Sequence, residues 1–544
     1  MESVEIVLAM LLAVVASGFL VRVLPFSLPL PLAQIALGAV VAGVFGHGVA
    51  LDPQLFFLLF LPPLLFLDGW RIPNDGLRRD RAVILELALG LVVFTVIGAG
   101  FLIHALIPVM PLPVAFALAA IVSPTDPVAV GAIAARVPIP KRLMHILEGE
   151  SLFNDASGLV CFRFAVAAAV TGEFSLGRAL LTFAWVAGGG LLLGVAVTLV
   201  VSFAQREALK RFEEASGSSI LVSLLVPFGA YMLAEQVHAS GILAAVSAGI
   251  MMSRVELTGR LRATTRVQRA AVWNTVQYTL NGIMFVLLGE QLPEISRSAV
   301  FSVREIGHHN PWWLALYVVA INVGLLLLRL LWVWASLRLT ILRARHRGQE
   351  ARAPHWRLVV ATSLAGVRGA ITLAGVLTLP LVLPDGAPFP VRGLTIFLAT
   401  AVVLVSLVIA SFGLPPLLKG LAMPEGPSEE RMNEERARRE AANAAIAAVE
   451  AARRAPLQPE LGDDAYLEAA RRVTDVYQRR LDAAAEPEVE GELRRIARAE
   501  RALRVEGLKA EREAVLMLAR AGKLSDATSR KLVQEIDLLE TRYR

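Results

Sequence analysis

The chain has 544 residues, of which 56% are hydrophobic and 18% charged, and it carries a formal net charge of +6. This composition excludes an ordinary soluble globular protein, and it predicts a membrane protein with many spanning segments and a charged soluble tail. The single cysteine, Cys161, excludes disulfide bonds within the chain and metal sites built from cysteines. No nucleic-acid-binding motif accompanies the basic residues, so we attribute their surplus to loops on the cytoplasmic side of a membrane.

The first apolar segment lies close to the N-terminus. Residues Met1–Glu5 are acidic, whereas a secretory signal begins with a basic region, so we expect this segment to be a retained membrane helix. Apolar runs long enough to cross a bilayer occur at about thirteen places. The predicted spanning segments are 4–22, 30–47, 53–70, 82–107, 112–135, 143–170, 178–203, 218–237, 239–253, 269–292, 312–337, 356–380 and 393–417.

The lysine and arginine residues predict the orientation of these segments. If the N-terminus lies outside, about twenty basic residues fall in the inner loops and about four in the outer loops. The outer residues are Arg178, Arg297, Arg304 and Arg392. Because the number of segments is odd, the C-terminus is then predicted to lie in the cytoplasm.

Thirteen segments also suit a duplicated plan. A linking seventh segment would leave the last six segments inverted relative to the first six. Segment five then corresponds to segment twelve, and both are interrupted: two prolines enclose Thr125 and Asp126, and two glycines flank Arg368. Unwound backbone at membrane depth is tolerated where it lines a cavity or is packed in protein. We therefore predict two inverted repeats with crossed discontinuous helices at a transport site.

The composition changes abruptly after Lys419, where residues rich in Ala, Glu and Arg begin. We predict an all-α protein with a transmembrane domain over residues 1–420 and a cytoplasmic helical tail domain over residues 421–544. Three prolines divide this tail into separate helices: Pro456, Pro459 and Pro487. A regulatory role, a dimer contact and a plain solvated bundle all stay open for the tail.

The most polar stretch of the membrane part lies at residues 145–160. On a helix, Glu150 and Asn154 lie one turn apart, as do Ser151 and Asp155, so the two pairs share one broad face. A charged side chain inside a bilayer costs about 2.5–3.5 kcal/mol on insertion scales, so several together predict an ion site. A polar seam between packed helices is the alternative interpretation.

Five ionisable residues belong to this predicted site: Asp68, Asp126, Glu150, Asp155 and Arg368. One arginine among acids suggests one internal ion pair, and we expect Glu150 and Arg368 to neutralise each other. Another carboxylate would then be left to exchange ligands. A carboxylate that binds a cation must release its proton, so competition at one such group, with alternating access, is sufficient for antiport.

Four motifs carry a resemblance to a known family. Ser123–Val128 (SPTDPV), Glu148–Asp155 (EGESLFND), Gly366–Ala370 (GVRGA) and Phe60–Phe66 (FLPPLLF) closely resemble the sodium/proton antiporters of the monovalent cation:proton antiporter-1 family. The similarity runs through essentially the whole membrane part and is greatest to the bacterial branch with a cytoplasmic C-terminal extension. It implies a homodimer in the bacterial inner membrane that exchanges Na⁺ or Li⁺ for H⁺, serves pH and sodium homeostasis, and has no cofactor or enzymatic activity.

The resemblance also implies roles for the residues that contact the ion. Asp155 would be the essential carboxylate that binds H⁺ and Na⁺ in turn. Thr125 and Ser151 would contribute oxygens to the Na⁺ ion, and Asp126 a hydrogen-bonded or water-mediated contact. Oxygen ligands agree with a hard cation, by extension from the divalent hard ions.

Other motif residues would support the site. Asn154 marks the class that is typically electroneutral, with one cation exchanged for one proton, and Glu150 and Arg368 would form the structural pair. Two further positions are possible accessories. Asp68 matches a carboxylate that some relatives carry near the access route, or it is a solvated residue at a helix end. Arg163 is a departure from the family pattern that could stabilise the charged form of Asp155, pair with Glu86 or point towards the membrane edge.

Three other functions share some of these sequence features. A potassium/proton antiporter would use the same fold and nearly the same groups, so the sequence leaves the cation open. An intramembrane aspartyl protease also needs two aspartates, but its Tyr-Asp and Gly-x-Gly-Asp patterns are missing around Asp126 and Asp155. A channel would show a repeated filter or a ring-forming pore helix, and neither is recognised.

Overall fold

The computed structural model shows a helical protein. It describes residues 2–24, 28–45, 53–72, 81–126, 130–131, 141–172, 176–211, 216–256, 263–305, 310, 312–346, 355–384, 386–419, 429–454, 463–482, 487–521 and 526–543. The β structure within these ranges is one isolated bridge between Val382 and Pro388. The described chain divides by its internal contacts into two compact units, residues 1–423 and 424–544.

The first unit is a bundle of apolar helices. They are α1 (Glu2–Val23), α2 (Leu30–Phe45), α3 (Pro53–Arg71), α4 (Arg81–Leu85), a π-helical segment (Glu86–Leu91), α5 (Val92–Leu106), α6 (Leu112–Val122), α7 (Lys141–Thr171), α8 (Leu176–Arg211), α9 (Ser216–Gln236), α10 (Gly241–Glu256), α11 (Ala263–Glu305), α12 (Trp312–His346), α13 (Trp356–Leu364), α14 (Ala370–Leu377) and α15 (Arg392–Leu418).

Each of the thirteen predicted segments contains helix in the part of the chain that the structure describes. The all-helical membrane fold is therefore confirmed. Seven of the described helices are long and apolar enough to cross a membrane by themselves. The number of spans, the inverted repeats and the orientation stay predictions. Residues 127–129 and 132–140, in and after predicted segment five, lie outside the described residues.

The two predicted interruptions are present in the described chain. Helix α6 ends at Val122, immediately before Ser123 and Pro124, because a proline has no N–H to donate and its ring clashes with the preceding turn. Helix α13 ends at Leu364 and α14 begins at Ala370, so the glycine-flanked arginine lies on an extended link. The predicted boundary near His238 is also observed, since α9 and α10 are separate helices.

Helix α6 lies at the centre of the bundle. All of its residues from Ala117 to Val122 are buried, and it packs against α5, α7 and α15. Close approach to α7 depends on Gly158, because a Cβ atom there would overlap the ring of Pro124. This contact brings the end of α6 against the polar face of α7.

A second group of helices surrounds α10, which packs against α3, α8 and α9. Glycines permit these contacts: a Cβ on Gly249 would overlap the carbonyl of Phe66, and one on Gly194 would overlap the carbonyl of Ala244. Phe66 also stacks on the buried Trp273 of α11, with ring centroids 5.3 Å apart. The close packing places α3 and α10 beside α7, where the polar residues lie.

The second unit consists of α16 (Glu429–Arg454), α17 (Asp463–Asp482), α18 (Pro487–Arg520) and α19 (Asp526–Tyr543). Helices α18 and α19 are joined by Arg512, which lies 2.8 Å from Asp537 and forms a second ion pair with Glu540. A hydrogen bond with Glu540 is the main reason why the pKa of the Arg512 guanidinium lies above its ordinary value. The cytoplasmic location of this unit stays a prediction.

Candidate functional site

The two interrupted helices meet at their links. The backbone N–H of Asp126 donates a hydrogen bond to the carbonyl oxygen of Val367, with an N–O distance of 2.7 Å. Neither group lies inside a regular helix, so each satisfies a backbone atom that the interruption leaves without a helical partner. The two links therefore hold each other at the centre of the bundle, beside α7.

An arginine from α12 neutralises Glu150. The Arg329 guanidinium contacts both carboxylate oxygens, with Nη1–Oε1 at 2.5 Å and Nη2–Oε2 at 2.9 Å. Both side chains are buried, at 3% and 1% exposure. Arg329 reaches Glu150 past Gly366, where a Cβ atom would overlap the arginine side chain. The predicted pair of Glu150 with Arg368 is therefore wrong, and the glycine beside Arg368 makes room for a different arginine.

Arg368 itself bends back onto its own link. Its Nη1 donates to the carbonyl oxygen of Gly366 at 2.5 Å, and its backbone N–H donates to the Ser406 hydroxyl at 3.1 Å. Its Nε is buried and has no hydrogen-bond partner among the described residues. The side chain lies with Arg329 on the wall of a cavity of about 30 Å³. Arg368 thus stabilises the link, while the ion pair is formed elsewhere.

Thr125 connects the first link to the buried ion pair. Its hydroxyl donates to Glu150 Oε1 at 3.2 Å and accepts a hydrogen bond from Asn154 Nδ2 at 2.9 Å. The Asn154 side-chain oxygen is buried without a partner in the described part of the chain. Asn154 therefore orients the threonine through its amide nitrogen, which an aspartate at the same position could not do in its ionised form.

Asp126 and Asp155 face one small cavity at the crossing. This cavity has a volume of about 10 Å³, enough for about one water molecule. Asp155 is 6% exposed, and no hydrogen bond or ion pair reaches its carboxylate from another described residue. The cavity is lined by Ile121, Pro124, Asp126, Asp155, Leu159, Gly369, Ile371 and Thr372. The structure thus brings the two predicted aspartates together.

Two other predicted ligands are placed differently. The Thr125 oxygen already takes part in two hydrogen bonds with side chains, and Ser151 is buried but does not line the aspartate cavity. Among the described residues, no group of three or more His, Cys, Asp or Glu side chains could hold a metal ion.

Asp68 of α3 belongs to the same electrostatic neighbourhood. Its negative charge acts on both Asp126 and Asp155, and the charges of Arg71 and Glu148 act on it in turn. The three aspartates come from three separate elements, so their mutual repulsion is imposed by the fold. Asp68 therefore lies within electrostatic reach of both aspartates, and its role as an accessory of the site stays a prediction.

Arg163 faces α9. Its Nη2 lies 3.6 Å from Glu235 Oε1, and both side chains are partly exposed. The predicted alternative of a pair with Glu86 is wrong, because the carboxylate that Arg163 contacts is that of Glu235. Glu235 lacks a motif, so the sequence offered no reason to connect these two residues, which are 72 positions apart in the chain.

Arg329 is the site residue that sequence reasoning missed. It is one positive charge in the apolar run from Asn322 to Ser336, and intramembrane charge is by default a functional signal. A search for lone charges inside apolar segments would have found it. Its partner could not have been chosen from the sequence, because Arg329 and Glu150 are 179 positions apart.

Comparison with known proteins agrees with this fold and with the resemblance of the motifs. A family profile described as "Sodium/hydrogen exchanger, transmembrane" matches residues 7–420. An uncharacterised Na⁺/H⁺ exchanger of Escherichia coli (strain K12) is 38% identical over 546 residues, which cover 99% of this chain and 98% of that protein. The sodium, potassium, lithium and rubidium/H⁺ antiporter of Bacillus subtilis (strain 168) is 38% identical over 558 residues, which cover 100% of this chain and 78% of that protein.

A solved structure shares the fold. The sodium proton antiporter of Methanocaldococcus jannaschii superimposes with a TM-score of 0.55 at 16% identity, over 77% of this chain and 99% of that chain. The family profile and these relatives confirm the resemblance that the motifs carry, and the solved structure shares the fold. The chain belongs to the sodium/hydrogen exchanger family of transmembrane proteins.

Proposed function

We propose that this protein is a secondary antiporter that exchanges Na⁺ or Li⁺ for H⁺ by alternating access, with Asp155 as the group that carries either ion. One observation supports this assignment above the others. Arg329 neutralises Glu150, while Asp155 faces a cavity at the crossing of two interrupted helices and meets no cation there from the described residues. A transported cation or a proton would supply the missing positive charge.

The exchange follows from the cost of a buried charge. An ionised carboxylate at membrane depth is unfavourable, whereas a carboxylate that holds a proton or a cation is neutral. Each ligand excludes the other, because the proton and the cation occupy the same oxygens. Movement between the inward and outward states is then easy for the loaded site and costly for the empty site, so one cation crosses for each proton that returns.

Asp126 and Asp68 favour cation binding at this position. Their negative charges act on Asp155 and would attract a cation into the cavity. Thr125 and Ser151, the further oxygen ligands that the family resemblance implies, would need a local rearrangement to reach the ion. For Thr125 this means giving up one of its two hydrogen bonds.

Potassium is the second candidate cation. The Bacillus subtilis relative is described as an antiporter of sodium, potassium, lithium and rubidium, and its similarity covers the entire length of this chain. A carboxylate cavity distinguishes these ions only by its size and its number of oxygens. The fold and the exchange mechanism would be unchanged if K⁺ were the physiological cation.

The remaining features of the proposal are the membrane and the assembly. We place the protein in the bacterial inner membrane with its N-terminus outside and its C-terminal unit in the cytoplasm, because basic residues concentrate in the loops that this orientation puts inside. A homodimer is proposed from the family resemblance. Transport of this kind would serve pH and sodium homeostasis.

Proton movement in proteoliposomes tests the proposal. Vesicles with an imposed pH gradient are pulsed separately with the chlorides of sodium, lithium and potassium, and Asp155→Asn protein serves as the matched blank. We expect sodium or lithium to dissipate the gradient in the native protein and no cation to do so in the variant, which should remain folded. Full exchange by Asp155→Asn would overturn the site, and a response to potassium alone would change the cation.

A further inference from the structure

A second and much larger cavity lies between α7 and the group of helices around α10. It has a volume of about 620 Å³, far more than a single ion requires and enough for many water molecules. Its wall includes the side chains of Arg163, Tyr231, Glu235, Gln236 and Ser240, so it is polar on one side. We call this space the vestibule.

Leu159 separates the vestibule from the aspartate cavity. It is the one residue that lines both spaces among the described residues. Leu159 lies four positions after Asp155 on α7 and four before Arg163, so the three side chains follow one face of the helix. An acid, an apolar group and a base therefore succeed one another along the direction from the site into the vestibule.

Arg163 and Glu235 fix the charge of the vestibule. Their side chains are 60% and 36% exposed and their charged atoms are 3.6 Å apart, so the ion pair is loose and lies open to the vestibule. Glu235 Oε1 also accepts a hydrogen bond from the backbone N–H of Gly241 at 3.2 Å, so the carboxylate is held at the beginning of α10. The acid thus offsets a positive charge that would otherwise repel cations on the way to Asp155.

The position of the vestibule along the helices gives its side of the membrane. Phe57 lies near the beginning of α3, Glu235 at the end of α9 and Thr378 just after α14. The distribution of basic residues places each of these helix ends outside. Lining residues from three separate helices therefore place the vestibule in the outer half of the membrane.

We infer that the vestibule is the outer access route to Asp155, that Leu159 is the apolar barrier between the two, and that Arg163 and Glu235 set the cation affinity of the route. This inference rests on the proposed function for its cation. The barrier assignment can be tested without transport, because it concerns which side chains water reaches. The failure of the two proposals is therefore distinguishable.

Cysteine accessibility tests the route. The chain has one cysteine, so Cys161→Ala provides a cysteine-free background. Leu159→Cys and Met232→Cys place a thiol at the barrier and on the vestibule wall, while Leu118→Cys places one in the buried interior of α6. Intact cells are treated with a membrane-impermeant cationic methanethiosulfonate, and the modified fraction of the full-length protein is measured by mass.

We expect the thiols at positions 159 and 232 to react from outside at least tenfold faster than the thiol at position 118. Reaction at 159 only in inverted vesicles, or at neither vestibule position from outside, would overturn the inference. Should Leu159→Cys fail to accumulate, Met232→Cys decides alone whether the vestibule is open to the outside. None of these readings requires that the protein exchange any ion.

Charge substitutions test the affinity assignment in proteoliposomes. Arg163→Gln leaves a net negative vestibule and should lower the apparent KM for Na⁺ several-fold, while Glu235→Gln should raise it several-fold. Both shifts should shrink at high ionic strength, and the double variant should return towards the native value. If the ion pair has only a structural role, both single variants should shift the apparent KM for Na⁺ in the same direction. That result would overturn the role of the pair in cation affinity.

Discussion

The Arg329 guanidinium donates two parallel hydrogen bonds, 2.5 and 2.9 Å long, to the Glu150 carboxylate in the interior of the helix bundle. The contact joins α12 to α7 five residues before Asp155. Planar bidentate geometry of this kind fixes orientation as well as charge, because both oxygens of the carboxylate are occupied. The pair thereby anchors the polar face of α7, and the next carboxylate on that helix, Asp155, faces the cavity that it shares with Asp126.

Removal of Arg329 should therefore damage the fold more than removal of Arg368. Breaking a buried ion pair on one side costs about 3–5 kcal/mol, because the remaining charge stays buried without its partner. We expect Arg329→Gln to lower the melting temperature in detergent clearly more than Arg368→Gln, whose charged Nη1 contacts only a backbone carbonyl.

Arg163→Gln is the matched control for the loss of an arginine. Its pair with Glu235 is exposed and should contribute about 0–1 kcal/mol. The double variant Glu150→Gln/Arg329→Gln should recover part of the loss of Arg329→Gln, since no unpaired charge is left buried. A lower melting temperature for Arg368→Gln than for Arg329→Gln would contradict the pairing seen in the structure.

Local sequence signals predicted the interruptions of the helices but not the partners of the charges. Pro124 and the glycines around Arg368 end helices through their own backbone chemistry, so the links could be located from the sequence. The partner of Glu150 depends on which distant helix lies beside α7. Membership of a motif favours Arg368 as the partner, whereas Arg329 reaches the carboxylate across the gap left by Gly366.

The same distinction applies to the ion ligands. The spacing of Ser151 and Asp155 placed both on one broad face of a helix. Side chains on such a face can still point in different directions and meet different neighbours. The structure turns Asp155 towards the second link and leaves Ser151 away from that cavity. Thr125 was predicted as an oxygen ligand, and its two hydrogen bonds give it a structural task that no spacing rule reveals.

Thr125→Val should reveal this structural task. Valine has a similar shape, but it cannot donate to Glu150 or accept from Asn154. A buried polar group that loses its partner costs about 1–3 kcal/mol, so we expect a clear fall in melting temperature together with a loss of exchange. Thr125→Ser keeps the hydroxyl and should preserve most of both properties.

Ser151→Ala provides the comparison for Thr125→Val. Ser151 is also buried, but its hydroxyl forms no hydrogen bond with another described residue, so its removal should change the melting temperature much less. The apparent KM for Na⁺ separates the two roles. Substitution of a residue with only a structural role should lower the melting temperature, whereas substitution of an ion ligand should change KM and leave the melting temperature unaltered. Equal stability of Thr125→Val and the native protein would refute the scaffold role.

Asn154→Asp tests the hydrogen bond that Thr125 accepts, as Thr125→Val tests both of its hydrogen bonds. The native amide nitrogen donates to Thr125, whose hydroxyl donates to Glu150. An ionised aspartate at position 154 could only accept, so it would compete with Glu150 for the single threonine proton and add a negative charge beside two other carboxylates. We expect lower thermal stability than in the native protein, and Asn154→Ser, which keeps a donor, should lose less. Unchanged stability of Asn154→Asp would show that the threonine is not shared in this way.

Gly369 tests how closely the second link must approach Asp126. Its backbone has φ −98° and ψ 176°, a conformation that alanine adopts without strain, so any effect of Gly369→Ala is steric. A Cβ atom there would lie 2.6 Å from the Asp126 Cβ and 2.9 Å from its Cγ. The aspartate or the link must shift, and we expect exchange in proteoliposomes to fall at least tenfold, with a loss of about 1–3 kcal/mol in stability from overpacking.

Gly229→Ala is the matched control, because Gly229 lies inside α9 and a Cβ atom there meets nothing within 4 Å. Alanine is favoured over glycine in a helix by about 0.5–1 kcal/mol, so this variant should be at least as stable as the native protein and should exchange ions normally. Native exchange rates in Gly369→Ala would mean that the position of Asp126 against the second link is not critical. Loss of exchange in Gly369→Ala alone would identify the close contact of the two links as a geometric requirement of the ion site.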